Sequence, residues 1–443
     1  MPPAAAAPHS PHAAPEGRDQ PRVVWSWALY DWANSAFTTL VVTFIYSTYF
    51  TQAMAPDELT GTSWWSRGIG ISAVLIALLS PVLGATADRR GQRKLLMGLM
   101  TATCIAATAA LTFVSPGTAH APLVALLIFI VANTAFELAG VFYNAFLPII
   151  ASPERIGRVS GYGWGLGYIG GLLCMVFALV GFVQPEAPWF GLSKEAGFNV
   201  RATNLLVAGW FLVFSIPVFL AVREKTNGVR ASSGSAFSEL IGTIRAVRHY
   251  RQAMRFLLAR LVYNDGLVTV FAFGGIYAAG TFGMSLSEVI TFGIVLNVAS
   301  GAGAFLFGFI DDRLGGKKTI LVTLVALSVA TAIVVWAPGR GWLWVGGILI
   351  GIFVGPNQSA SRSLMGRFVP ERRQAEFYGF FAFSGKITSF LGPIVLGQVT
   401  AIFSSQRAGV ASVLFFLIAG GLLLAAVDEK RGIAAALEAS GIS

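Results

Sequence analysis

The stretch Gly84-Ala85-Thr86-Ala87-Asp88-Arg89-Arg90-Gly91-Gln92-Arg93-Lys94 returns half a chain later as Gly308-Phe309-Ile310-Asp311-Asp312-Arg313-Leu314-Gly315-Gly316-Lys317-Lys318. Both read G-x-x-x-D-R-x-G-x-[RK]-K. A glycine one helical turn before a carboxylate lets a neighbouring helix come close. The basic residues that follow can pair the acid, and the glycine between them permits a tight turn. A second pair has the same period: Ser152-Pro153-Glu154-Arg155 is matched by Val369-Pro370-Glu371-Arg372. A loop doubled at half-chain spacing marks a duplicated structural unit.

The unit is a membrane bundle. Of 443 residues, 55% are hydrophobic and only 12% charged, where a soluble protein carries about 25% charged residues. A bilayer-crossing helix needs about 20 mostly apolar residues. Such runs fall at 25–51, 68–87, 95–114, 122–150, 161–183, 203–222, 256–282, 287–310, 319–337, 342–365, 376–403 and 409–428. The expectation is an all-α integral membrane protein with twelve transmembrane helices in two pseudo-symmetric six-helix bundles. The fourth and eleventh runs are long enough to be tilted, kinked by Pro148 or Pro393, or to protrude. The chain divides into a disordered tail (1–22), a first bundle (23–222), a linker (223–254), a second bundle (255–428) and a C-terminal tail (429–443). Within the linker, Phe237, Leu240, Ile244, Val247 and Met254 recur at helical spacing opposite Arg245, Arg248, His249 and Arg251, as in an amphipathic helix lying on the membrane surface.

The net charge of +10 reads as topology. Lys and Arg collect in alternate loops: Arg89, Arg90, Arg93 and Lys94; Arg155 and Arg158; the linker; Arg313, Lys317 and Lys318; Arg367, Arg372 and Arg373; Lys430 and Arg431. The other loops hold Arg67, Lys194, Arg201, Arg340 and Arg407. Cytoplasmic loops carry the positive excess, so both termini are expected in the cytoplasm, with no role for nucleic acid. Cys104 and Cys174 lie in apolar runs and the four histidines do not cluster, which gives neither a disulfide framework nor a metal site. No HExxH, nucleophile elbow or GxxxxGK[ST] loop occurs, so neither an enzyme nor a nucleotide-driven pump is expected, and no cofactor. A membrane-embedded enzyme or a non-transporting sensor on a transporter scaffold is the alternative class.

The duplicated loop resembles the signature of the major facilitator superfamily over residues 25–430. Within it, Trp27-Ala28-Leu29-Tyr30-Asp31-Trp32-Ala33-Asn34-Ser35-Ala36-Phe37 is similar to the start of the vacuole-effluxer (autophagy-related) branch and its bacterial relatives. Leu261-Val262-Tyr263-Asn264-Asp265-Gly266 and Gly355-Pro356-Asn357-Gln358-Ser359-Ala360-Ser361-Arg362 support the same placement. The resemblance implies transport by alternating access, with amino-acid efflux the leading substrate guess, in a bacterial cytoplasmic (inner) membrane and as a functional monomer. Span five carries Gly161, Gly163, Gly165, Gly167, Gly170 and Gly171, yet lacks the Gly-Pro pair of superfamily antiporters. Dense glycine there is equally a close-packing device.

An ionisable group at mid-span costs about 2.5–3.5 kcal/mol on insertion scales, which makes each one a candidate functional group. Asp31 shares a face with Asn34, Ser35 and Thr38; in span four Asn133, Glu137, Gly140 and Asn144 form another. Span seven offers Tyr263, Asn264 and Asp265, span ten Asn357 and Gln358, and span eleven Lys386. Glu137 and Asp31, with Asp265, are the candidates for protons or a substrate amine, and Lys386 for a substrate carboxylate. Neutral hydrogen bonds would come from Asn133, Asn144, Asn297, Asn357 and Gln358. Asp31 and Asp265 can equally serve as gate ion pairs. Arg260 and Arg362, near the ends of their spans, are expected to snorkel to phosphates. Gly84, Asp88, Arg89, Gly91 and Arg93, with Gly308, Asp312, Arg313 and Gly315, form the two gating loops. The expected partners are the lipid bilayer, a small polar solute and protons.

Overall fold

The computed structural model describes residues 18–117, 120–224 and 250–441. Within them the chain is helical throughout. Eleven helices are long and apolar enough to cross a bilayer: spans two (Glu58–Arg90), three (Arg93–Leu111), four (Ala121–Ile150), five (Ile156–Val183), six (Glu195–Ala221), seven (Arg251–Phe282), eight (Ser287–Leu314), nine (Gly316–Trp336), ten (Arg340–Phe368), eleven (Glu371–Phe403) and twelve (Gln406–Ala425). The twelfth crossing is span one. Its α-helix Pro21–Ala36 runs into a π-helical stretch, Phe37–Phe44, and on through Tyr46–Met54. Widened turns of this kind are uncommon and concentrate at functional sites.

Local chemistry sets the ends. Gly91 and Gly315 take φ of +60° and +88°, so the second glycine of each motif makes the turn that only glycine makes at low cost. Span two begins ten residues before the apolar run, at Glu58, because the Asp57 carboxylate accepts the Thr60 backbone N–H at 2.9 Å and caps a polar first turn. Span eight opens on a reciprocal cap between Ser285 and Glu288. The kinks expected at two prolines are present: span four breaks at Phe146 just before Pro148, and Pro393 lies in the first turn of the second piece of span eleven. Exposed Leu78, Val325, Phe415 and Leu422 belong to an apolar belt around the bundle, as lipid rather than water requires.

Several boundaries differ from the hydropathy reading. Span seven already starts at Arg251, so Met254 belongs to it; the rest of the proposed amphipathic helix lies outside the described residues. The C-terminal tail is a helix, Glu429–Ser440, capped by Asp428 and held by Glu429, whose two carboxylate oxygens accept the Gly316 and Lys317 backbone N–H groups at 2.9 and 3.2 Å. Span eleven is two half-helices, Gln374–Lys386 and Leu391–Phe403, joined at mid-depth by the turns of residues 387–390. Ser440 Oγ accepts the Glu371 N–H while Arg18 reaches the Pro148 carbonyl and the Glu371 carboxylate. Both ends of the described chain therefore lie on one face, as an even number of spans demands.

Candidate functional site

The two bundles are joined along two seams at the face that carries the chain ends. In one, span five packs on span eight through Gly161 and Gly165: a Cβ added at Gly161 would sit 2.5 Å from the Ala304 carbonyl oxygen, and one at Gly165 would be 3.2 Å from that of Gly301. In the other, span two meets span eleven, where a Cβ on Gly84 would lie 2.2 Å from the Ala375 carbonyl oxygen and one on Gly379 2.4 Å from that of Ser80. Backbones this close tolerate no side chain. The other glycines of the run, Gly163, Gly167, Gly170 and Gly171, face span one within the same bundle. The glycine run is thus two packing stripes on one helix.

Each seam is closed by the aspartate of a repeated motif. Asp88 accepts the Ala375 and Glu376 backbone N–H groups at 3.0 and 2.8 Å, at the start of span eleven, and pairs with Arg93 at 2.5 Å. Arg93 also donates to Gln374 of the other bundle. Asp312 mirrors this at the start of span five, accepting the Gly157 and Arg158 N–H groups at 2.8 and 3.3 Å and pairing with the Arg158 side chain. A carboxylate at a helix N-terminus meets unsatisfied donors and the positive end of the helix dipole. The mirror has a fault: Arg93 comes from the motif itself, whereas the partner of Asp312 comes from span five, and Arg313 is exposed. Arg367 instead holds Asp311 at 2.7 Å. Gly308 lies against the Arg158 backbone, and Arg89 flanks the first loop.

Deeper in the same closure, Arg362 of span ten enters the first bundle. Its Nη1 donates to Asp31 Oδ2 at 2.8 Å and to Asn144 Oδ1 at 3.4 Å; Nε reaches Ser160 Oγ at 2.9 Å and Nη2 the Ser160 carbonyl at 2.7 Å. Its guanidinium carbon lies 4.8, 5.7 and 5.6 Å from the ring centroids of Trp27, Tyr143 and Trp164. Arg362 is 3% exposed. The expected snorkelling is therefore wrong, because four acceptors lie inward for its five N–H groups.

At mid-depth Lys386 Nζ meets Glu137 Oε1 at 2.6 Å, joining span eleven to span four. Both side chains keep some exposure, 33% and 24%. Lys386 is the last residue of the first half-helix of span eleven, where a cation suits the negative end of the dipole. Discontinuous helices at this depth occur where backbone lines a cavity or is buried in protein. Arg260 also turns inward, against expectation: Nη1 donates to the Phe381 carbonyl at 2.7 Å and Ser384 Oγ at 2.9 Å, and the guanidinium lies 3.6 Å from the Phe381 ring centroid. Asp265 is buried beside the same break, with Thr388 Oγ1 donating to it at 3.3 Å and no ion pair among the described residues. Asn264 Nδ2 donates to the Gly385 carbonyl.

The other candidates separate. Gln358 crosses the bundles, accepting the Tyr168 hydroxyl at 2.8 Å. Tyr263 and Asn357 point into their own bundle, bonded to Ser361 and Thr323, and so do not face the other half. Asn34 accepts from Ser35 at 3.5 Å, and Asn34 and Asn133 are both buried. Asn297 bonds its own helix at Gly293. Residues that sequence reasoning missed are Arg362, Arg260, Ser160 and the three rings. The polar run Ser359-Ala360-Ser361-Arg362-Ser363 was the available signal for Arg362, since four polar groups in five positions have no place against lipid.

At the opposite face the bonds stay within a bundle: Tyr49 to Ala196 and Arg201 to Thr112 in the first, Arg340 to Phe282 and Arg407 to Val335 in the second. Among the described residues the bonds between the halves lie at one end and at mid-depth.

This architecture matches solved transporters. The human organic anion transporter MFSD10 superposes with a TM-score of 0.73 at 14% identity, covering 91% of this chain and 100% of that one. The proton:xylose symporter XylE gives 0.70 at 12%, covering 93% and 96%. By sequence, the chain is 28% identical over 410 residues to the MFS-type transporter YxiO of Bacillus subtilis, covering 91% of this chain and 94% of that one. Autophagy-related protein 22-1 of Penicillium rubens is 26% identical over 310 residues, 64% of this chain, and the chain spans about half the length of that fungal relative. The family profile described as vacuole effluxer Atg22 like matches residues 54–437. With twelve spans, a duplicated clamp and a match over most of its length, the chain belongs to the Atg22-like vacuole effluxer family of major facilitator transporters.

Proposed function

We propose that this protein is a secondary active transporter of a small zwitterion, with amino-acid efflux the leading case, working by alternating access and coupled to protons. The observation that carries this reading is the Lys386–Glu137 pair, 2.6 Å long, largely buried and bridging the two bundles. Removing one member of a low-dielectric ion pair strands the other charge. A solute that carries both an ammonium and a carboxylate can replace both partners at once, carboxylate on Lys386 and amine on Glu137, and leave neither charge alone. Arg260 of span seven, bonded to Phe381 and Ser384 of the same half-helix that ends at Lys386, is proposed as a further donor to the solute. Asp265, bonded to a hydroxyl and not to a cation, is the foremost proton carrier, with Asp31 and Glu137 the further candidates.

The clamped end is read as cytoplasmic from its Lys and Arg, with both termini there. In this reading the described state opens away from the cytoplasm. The vacuole-effluxer description of the family supports export as the direction. The test is purified protein in proteoliposomes, loaded with unlabelled amino acids and offered labelled ones, with and without an imposed pH gradient. Counterflow of at least one amino acid is expected, together with loss of gradient dependence in Asp265→Asn, Asp31→Asn or Glu137→Gln. Absence of counterflow across the amino-acid panel refutes the substrate class. Full gradient dependence in all three variants refutes their role in coupling.

A further inference from the structure

Every group that bonds the Arg362 guanidinium belongs to the other bundle. The carboxylate comes from span one (Asp31), the amide oxygen from span four (Asn144), and the hydroxyl and carbonyl from span five (Ser160). The rings are Trp27, Tyr143 and Trp164, from the same three spans. The stacked rings are held within the first bundle, while the Ser160 hydroxyl also donates across the seam to the Ser359 carbonyl. Trp27 is stacked on Tyr143 at 4.4 Å between centroids and its Nε1 donates to the Tyr143 carbonyl at 3.0 Å, while Tyr143 also stacks on Tyr30 at 4.8 Å. Gly163 leaves the space: a Cβ there would fall 2.5 Å from Asp31 Oδ2 and 2.7 Å from Arg362 Nη2. Such a set, with a carboxylate and neutral acceptors within hydrogen-bond reach of a guanidinium and aromatic rings about it, recognises organic cations generally.

We propose that the first bundle carries a preformed guanidinium-binding cage, built from Asp31, Asn144, Ser160, Trp27, Tyr143 and Trp164, which Arg362 fills while the clamp is closed and a free organic cation of the guanidinium class fills when the halves part. The inference rests on the alternating-access reading for when the cage empties. The cage itself is tested without transport. Arg362 then acts as a tethered ligand: it fastens the closed state, and a soluble guanidinium competes for the same receptor and favours the parted state.

The primary test is chemical rescue of Arg362→Ala in detergent, with thermal unfolding as the readout and millimolar methylguanidinium as the probe. A saturable rise in Tm is expected, larger than that from equal sodium chloride or from urea, the neutral isostere, and absent when Asp31→Asn is added. Equal responses to the three solutes, or a rise that survives Asp31→Asn, overturn the proposal. Recovery of folded Arg362→Ala only in the presence of methylguanidinium counts as rescue.

A second arm keeps Arg362 and covers the case in which the variant cannot be purified at all. Ser359 is buried at the seam, its carbonyl accepting from Ser160, and both native cysteines are buried. In a Ser359→Cys protein, methylguanidinium should speed maleimide labelling several-fold while sodium chloride does not. An unchanged rate overturns the proposal. Rescue without solute counterflow would leave the cage standing and refute the transport reading, and the reverse result would do the opposite.

Discussion

Replacing Gly161 by alanine separates closure from stability. The added Cβ would lie 2.5 Å from the Ala304 carbonyl oxygen and 3.2 Å from the Gly308 Cα, roughly 1 Å inside the ordinary contact distance of about 3.5 Å. Overpacking of this kind costs about 1–3 kcal/mol, and here the cost falls on the clamped state alone, because the parted seam has room. A free-energy difference of about 1–3 kcal/mol between two states shifts their ratio about 5- to 150-fold. The same substitution favours the helix by about 1 kcal/mol in both states. The variant should therefore open the clamp without unfolding the bundle. The assay is maleimide labelling of Ser359→Cys on that background, with Gly209→Ala as control, since a Cβ at Gly209 meets nothing within 4 Å. Labelling should rise by at least about fivefold over the control. Equal rates in the two variants would refute the claim that this glycine seam holds the halves together.

Three further outcomes follow from the same geometry. Gly163→Ala should break the Asp31–Arg362 pair and lower Tm, and its effect should be much smaller on an Arg362→Ala background; additive losses would contradict a shared cause. Asp88→Asn puts an amide donor against the Ala375 or Glu376 N–H, an unpaired contact costing about 1–3 kcal/mol; Ser359→Cys labelling should rise, and Asp312→Asn should do the same. Burial holds the Glu429 carboxyl above the ordinary glutamate range, against the opposing pull of Arg367 and of the backbone donors of Gly316 and Lys317. The folded chain then binds this proton more tightly than the unfolded one, so the contribution of Glu429 to stability is greatest at low pH and falls as pH rises from the ordinary value through the raised one. Glu429→Gln should flatten that part of a Tm-against-pH curve, and an unchanged slope would contradict it.

Twelve spans, two halves and the repeated loops could be read from the sequence because lipid penalises every exception: apolar runs of fixed length, basic loops on one side and a doubled motif all report the same architecture. Glu137 and Lys386 were legible as deep ionisable groups for the same reason. Their pairing was not, since contact between spans four and eleven is a property of how the bundles join and leaves no local pattern. Arg362 and Arg260 were misread by counting depth along a helix, a count that ignores what lies on the facing helix. Tyr263 and Asn357 show the converse: a polar residue in a span can satisfy its own bundle, here through Ser361 and Thr323, without facing the cavity. The break in span eleven had a visible cause in Gly392-Pro393, yet its position just after Lys386 required the fold.

In the proposed cycle one solute replaces both members of the Lys386–Glu137 pair. Competition against labelled amino-acid counterflow in proteoliposomes tests it most directly, comparing an amino acid with its methyl ester, which keeps only the ammonium, and its N-acetyl derivative, which keeps only the carboxylate. The intact zwitterion should compete far better than either derivative, and Glu137→Gln with Lys386→Met should remove the distinction. Equal competition by all three compounds in the unaltered protein would contradict it.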